Sequence, residues 1–248
     1  MADVNKRFWE IDLIRGVAII LMVIFHLLFD LSEYYFFPID YSRGIPALIG
    51  KMAGTLFIMT AGISSSFSRS NIRRGLRVFG IGMLLTAATY VLDQGLFIKF
   101  GILHFLGLAM IMHDLLGKLR TDWLAIIGTV LLVAGYYFSQ ITISRGFLFP
   151  LGLRNPGFSS LDYYPLLPWL GIFMYGMILA RVFYQKDHED REAMEGQDGI
   201  KKRPTAVGAY RANLLTYIGR HSLIIYLAHQ PILIGLLWAL NQIRILLT

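Results

Sequence analysis

Long apolar runs alternate along this chain with short polar breaks. Runs at roughly 13–37, 45–67, 75–92, 96–116, 122–139, 163–185 and 214–240 each approach the ~17–25 residues that cross a hydrocarbon core. They predict an all-α fold, a polytopic integral membrane helix bundle of about seven transmembrane helices. Between the fifth and sixth runs, Gly146, Pro150, Gly152, Pro156 and Gly157 interrupt any helix, which predicts an irregular extramembrane or re-entrant loop. The first run is too long for a signal-peptide core, and no small-residue cleavage site follows it, so it reads as a retained signal anchor. No internal repeat is visible. The expectation is one transmembrane domain over residues 1–248, with a polar cytoplasmic linker at about 186–212.

Composition agrees with that pattern: 56% of the 248 residues are hydrophobic and the mean hydropathy is +0.57. A net charge of +7 would suggest a nucleic-acid partner in a soluble chain, but here the placement of the cations sets membrane orientation instead. With the N-terminus inside, only Arg43, Lys51, Lys99, Arg145, Arg154 and Arg244 of the 23 Lys and Arg fall on the outer side. The bias predicts N-in and, for seven spans, C-out, with no nucleic acid as partner. The chain has no cysteine, which removes disulfides, thiol catalysis and sulfur metal ligands from consideration.

The first run, "EIDLIRGVAIILMVIFHLLFD", carries ionisable groups into the apolar region. At about 100° and 1.5 Å per residue, the eleven-residue step from Arg15 to His26 returns within about 20° of the same azimuth after about 16 Å. Asp30 follows His26 by one turn and Asp12 precedes Arg15 by three residues. The resulting polar stripe must face protein or water, because an ionisable group in hydrocarbon costs on the order of 3 kcal/mol. A carboxylate at i+4 can accept from one imidazole nitrogen and leave the other basic, as a general base requires. Arg15 reads equally as an interfacial anchor.

These residues also carry a resemblance. "EIDLIRGVAIILMVIFH" resembles the signature of the transmembrane acyltransferase superfamily, in particular the bacterial proteins similar to heparan-alpha-glucosaminide N-acetyltransferase. The Arg, ten residues, His spacing is similar to the motif of acyltransferase family 3. "GILHFLGLAM" from Gly101, "DYYPLLPWLGIFMYGMILA" from Asp162 and "IGRHSLIIYLAHQPIL" from Ile218 resemble further blocks of the bacterial family, so the likeness covers nearly the whole chain. It implies acyl transfer with Arg15 and His26 as essential groups. The chain has no histidine from 27 to 103, so the loop histidine of the lysosomal branch has no counterpart and the role falls to His26.

"SRSNIRRGLRVFG" places Arg73, Arg74 and Arg77 near an inner loop. Guanidinium suits phosphate, and coenzyme A carries several phosphates; positive-inside topology alone accounts for the same arginines. His104, flanked by Gly101 and Gly107, reads as an oxyanion donor or as a satisfied interhelical histidine. His229 and Gln230 precede Pro231, where a local helix break is expected beside the cavity. Asp162, at the head of its block, joins them among the substrate-pocket residues. His113, His188 and His221 read as solvated or anchoring groups, and "GISSSFS" as a helix end. No metal site is expected: no histidine pair has ligand spacing and no HExxH occurs. Phosphate-binding loops and the GxSxG elbow are absent as well.

The sequence therefore predicts a membrane acyltransferase of a bacterial inner membrane. It takes an acyl group, acetyl by resemblance, from cytoplasmic acyl-CoA to a hydroxyl or amine of a sugar-like or lipid-linked acceptor, with membrane lipids around it. His26 is the base, Asp30 its orienter, and Arg15 a donor-placing group. Direct transfer and an acyl-histidine intermediate both stay open, as does a homo-oligomer. The competing reading is a proton-coupled small-solute or lipid transporter using the same intramembrane His, Asp and Arg.

Overall fold

The computed structural model describes residues 8–144, 146–184 and 214–247. Its helices are α1 (Trp9–Tyr35), α2 (Gly44–Ser65), α3 (Asn71–Leu92), α4 (Ile102–Leu116), α5 (Thr121–Gln140), α6 (Leu166–Leu179), α7 (Leu214–Arg220) and α8 (Ser222–Leu247). A single π-helical stretch, Ala180–Tyr184, prolongs α6, and a 3₁₀ turn, Gly146–Leu151, lies in the loop before it. Six helices are long and apolar enough to cross a membrane, and Ile102–Leu116 is a shorter apolar helix. Every apolar run in the sequence is thus a helix, and no strand occurs among the described residues beyond the isolated bridges Phe100–Tyr163 and Thr142–Arg154.

Three boundaries differ from expectation. The third helix begins at Asn71 rather than 75, so its arginines lie within the first turns. Residues 96–101 of the fourth run are loop; the remaining 15 residues of α4 rise only about 22 Å. Nearly all of its first half is buried, so protein rather than lipid surrounds it. The last run breaks at His221, between α7 and α8, whereas α8 passes through Pro231 without interruption. A proline inside a membrane helix removes one backbone donor, a loss its surroundings can absorb. The expected linker at 186–212, with His188, lies outside the described residues, as do Lys6, Arg7 and Arg145.

The contacts of the chain fall into two compact units, Met1–Phe57 with Lys202–Thr248, and Ile58–Lys201. In the first, α1 packs against α7 and α8. Gly16 meets the Leu215 carbonyl and Gly219 meets the Asp12 carbonyl, so the α1 and α7 backbones touch. The second unit repeats this device on its own helix pairs. Gly75 and Gly107 bring α3 to α4, Gly128 and Gly171 bring α5 to α6, and Gly62 and Gly176 bring the end of α2 to α6. Lipid tails are as apolar as leucine, so helices in a bilayer gain stability from close van der Waals packing, which small residues permit. Large apolar side chains such as Leu84, Val91, Trp238 and Leu240 remain exposed on the helices, as surfaces that meet lipid require.

At one end of the second unit the loops 93–101 and 141–165 are zipped together. Tyr164 N–H donates to the Phe100 carbonyl at 2.9 Å, Lys99 N–H donates to Ser160 Oγ at 3.0 Å, and Ile143 N–H donates to the Arg154 carbonyl at 2.9 Å. The Tyr163 hydroxyl donates to the Phe149 carbonyl at 2.7 Å, and burial pushes its phenol up to about 12, so it remains a donor. The irregular segment is an ordered cap.

A Cβ at Gly219 would overlap the Asp12 carbonyl, whereas Gly235 in α8 has nothing within 4 Å. Gly219→Ala is therefore expected to destabilise the protein by about 1–3 kcal/mol. Gly235→Ala should leave stability unchanged or slightly raised, because alanine is the better helix former. Thermal unfolding of the two variants in detergent checks the contrast.

Candidate active site

The α1 stripe is present as the spacing predicts, and within the first unit it meets α8. His26 is half-buried, and its Nδ1 lies 2.9 Å from the Met22 carbonyl. A carbonyl can only accept, so Nδ1 carries the proton and Nε2 keeps its lone pair. His229 is built the same way, its Nδ1–H donating to the Tyr226 carbonyl at 2.6 Å. The two imidazoles meet edge to face with centroids 4.7 Å apart. Phe25, 5.5 Å from the His26 centroid, and Tyr226, 5.6 Å from that of His229, flank them. Two histidines 203 positions apart in sequence thus form one site with the same tautomer.

One turn beyond His26, Asp30 is fully buried and accepts a hydrogen bond from Gln230 Nε2 at 2.7 Å. The expected arrangement, with Asp30 holding the His26 ring, is corrected here. Met22 orients that imidazole, and Asp30 instead ties α1 to α8 through the residue after His229. Asp30 Oδ2 and Gln230 Oε1 have no hydrogen-bond partner among the described residues, so this layer retains capacity for a polar guest.

Arg15 occupies a different place. Its Nη1 donates to Asp12 Oδ1 at 3.2 Å, and Arg220 Nε lies 3.6 Å from Asp12 Oδ2. Asp12 is 2% exposed; a buried carboxylate needs cationic and hydrogen-bonding partners to offset its desolvation. Arg15 and Arg220 provide them where α7 ends. Arg15 therefore acts on the α1–α7 contact and is not beside His26.

In the second unit His104 is 2% exposed, and both its ring nitrogens are used. Nδ1 accepts from the Gly101 N–H at 3.2 Å, which assigns the proton to Nε2, and Nε2–H donates to Thr86 Oγ1 at 3.2 Å. Phe100 stacks on the ring and Phe79 meets it edge-on. The oxyanion-donor expectation is corrected: His104 has no donor left and belongs to the scaffold. Asp162 likewise caps α4, its Oδ2 accepting from the Ile102 N–H at 2.8 Å, where a helix start favours a carboxylate. Gly101 is needed there because a Cβ would collide with that carboxylate.

Arg73 and Arg77 stand one turn apart on α3, both exposed, while Arg74 is half-buried. Arg181 is committed elsewhere. It donates to the carbonyls of Gly117 and Leu119, each at 2.7 Å, and closes the turn after α4. His113 is not solvated. Asn71 Nδ2 donates to its Nδ1 at 2.9 Å and to the Ser65 carbonyl at 2.9 Å, so the serine-rich helix end is pinned to α4. The sequence pointed to His26 and His229 singly. Their pairing and the Asp30–Gln230 bond had no local signal, because each depends on how α1 meets α8, whereas the Met22 acceptor lies one turn back on α1 itself.

No curated protein and no solved structure matches the chain. Residues 7–231 match the family described as heparan-alpha-glucosaminide N-acetyltransferase, catalytic. That match spans the paired histidines, the whole of the second unit and most of the first. The chain therefore belongs to this family of membrane acetyltransferases.

Proposed function

We propose that the protein moves an acetyl group from cytoplasmic acyl-CoA to a hydroxyl or amine of a sugar-like acceptor at a bacterial inner membrane, with His26 as the general base. The observation that carries this reading is the pinned tautomer of His26. Its Nδ1–H is fixed on the Met22 carbonyl at 2.9 Å, so Nε2 is the basic nitrogen. A base must present such a nitrogen to its substrate before its pKa matters.

In the proposed step the acceptor oxygen or nitrogen attacks the thioester carbonyl while its proton passes to His26 Nε2. The new acyl bond forms, the carbon–sulfur bond breaks, and CoA leaves as a thiolate that takes the proton back from the imidazolium. His229, with centroids 4.7 Å apart, is the neighbouring basic ring and bounds the space in which the acceptor sits. Asp30, through Gln230, positions that ring. Arg73, Arg74 and Arg77 are assigned to the donor's phosphates because guanidinium holds its charge at any working pH and binds phosphate bidentately. Arg15 keeps a positioning role through Asp12.

His26→Ala is expected to lower turnover about 10²–10⁴-fold while CoA binding, measured calorimetrically on detergent-purified protein, survives; unchanged turnover removes the assignment. In the wild type the rate should fall as the medium is acidified through the titration of the imidazole, because only the neutral ring accepts a proton, and this limb should be absent from the residual rate of His26→Ala; an acid limb of the same shape in both argues against His26 as the base.

Replacing Arg73 and Arg77 together with glutamine should weaken CoA binding about tenfold, or about 1.4 kcal/mol. The gap should narrow as salt is raised, since screening weakens the wild type more. Equal affinities at low salt would return these arginines to a purely topological role.

A further inference from the structure

Helix α1 buries two carboxyl groups, and the protein meets them differently. Asp12 has the guanidiniums of Arg15 and Arg220 at 3.2 and 3.6 Å. Asp30, fully buried inside the apolar span, has no cation beside it among the described residues. Its side chain accepts one hydrogen bond there, from the neutral amide of Gln230, whose Nε2 donates to Oδ1 at 2.7 Å. An ion pair offsets the desolvation of a buried carboxylate; a single neutral donor leaves most of that penalty standing, and a carboxyl group so placed takes up a proton instead. The other titratable groups of α1 and α8 near this level are His26, His229 and the exposed Glu33. The two imidazoles donate through Nδ1 to carbonyls of their own helices, and Glu33 is of like charge.

The oxygens left over indicate where that proton sits. Asp30 Oδ2 and Gln230 Oε1 are both buried and both without a partner among the described residues. They belong to the same two planar groups that already meet through Oδ1 and Nε2. Two acceptors cannot bond each other, but one proton on Oδ2 makes it a donor to Oε1. The acid and the amide then close a ring of two hydrogen bonds, and both orphaned oxygens are satisfied at once. Turning the Gln230 amide over changes nothing, because its oxygen would then face Oδ1 and the same single proton would be required.

We propose that Asp30 is a neutral carboxylic acid, locked with Gln230 in a cyclic acid–amide pair that latches α1 to α8 and leaves the histidine site without a fixed negative charge. Gln230 directly follows His229, so the latch sets the place of that ring beside His26. Asp30 and Gln230 are positioning residues and take no part in the proton transfer. The imidazolium formed on His26 meets no carboxylate that would hold its proton back from the departing thiolate. The positioning role rests on the acetyltransferase reading; the protonated state and the latch do not.

Infrared difference spectroscopy on the full chain in detergent reads the proton directly, because a protonated carboxyl group and a carboxylate absorb apart. At about pH 8, where an ordinary aspartate is ionised, the wild-type spectrum minus that of Asp30→Asn should contain the C=O stretch of a protonated carboxyl. Gln230→Leu should keep this band and move it to higher frequency, as loss of the amide partner requires. Asparagine can rebuild the ring as an amide pair and alanine cannot, so Asp30→Asn should turn over about tenfold or more faster than Asp30→Ala and unfold at a higher temperature. A carboxylate band instead, the signature of an ionised Asp30 held by water or a guest ammonium, overturns the proposal. So does an unmoved band in Gln230→Leu, or an Asp30→Asn protein no faster and no more stable than Asp30→Ala. Should Asp30→Ala fail to fold, the spectra of the wild type, Asp30→Asn and Gln230→Leu decide. They need neither acyl-CoA nor turnover, so loss of the His26 reading leaves them legible, and their failure leaves that reading standing.

Discussion

Backbone-to-backbone contact through paired glycines is the constraint on which the rest of the molecule depends. In an apolar solvent nothing is gained by hiding leucine from its surroundings, so helices must approach until their main chains touch. Gly16 with Gly219, Gly75 with Gly107, Gly128 with Gly171 and Gly62 with Gly176 provide that approach. The polar groups then follow from it. Asp12 meets Arg220 because Gly219 lets α7 rest on α1, and His104 reaches Thr86 because α3 and α4 touch at Gly75 and Gly107.

Polar side chains divide by what their partners are. His104, Asp162, Arg181 and Asn71 satisfy backbone groups at helix ends and turns, so their chemistry is consumed by the fold. His26 and His229 each bond one backbone carbonyl through Nδ1, which fixes a ring without using its basic nitrogen. The same residue type thus serves as scaffold in α4 and as candidate reagent in α1 and α8. The number of ring nitrogens already engaged makes the difference.

Helix number and the α1 stripe were legible in the sequence because they depend on period and length, which are local. Arg15 and His26 of the stripe share one face of α1, as eleven residues of helix require. The break at His221 has a weaker local signal than Pro231, yet the chain carries that proline inside α8. The role of Asp30 departs from its local spacing for a related reason. An i+4 carboxylate is within reach of an imidazole, but the Met22 carbonyl is nearer to hand and Gln230 comes from a helix 200 positions away. Partners supplied by another helix leave no trace in the local pattern.

In the first unit Arg15 and Arg220 are turned onto Asp12, and in the second Arg181 is turned onto carbonyls, whereas Arg73 and Arg77 are exposed on α3. If they hold the donor, phospholipid phosphate is a standing competitor for the same two groups. Apparent donor affinity would then be a property of the membrane as well as of the protein, lower in acidic bilayers than in neutral detergent.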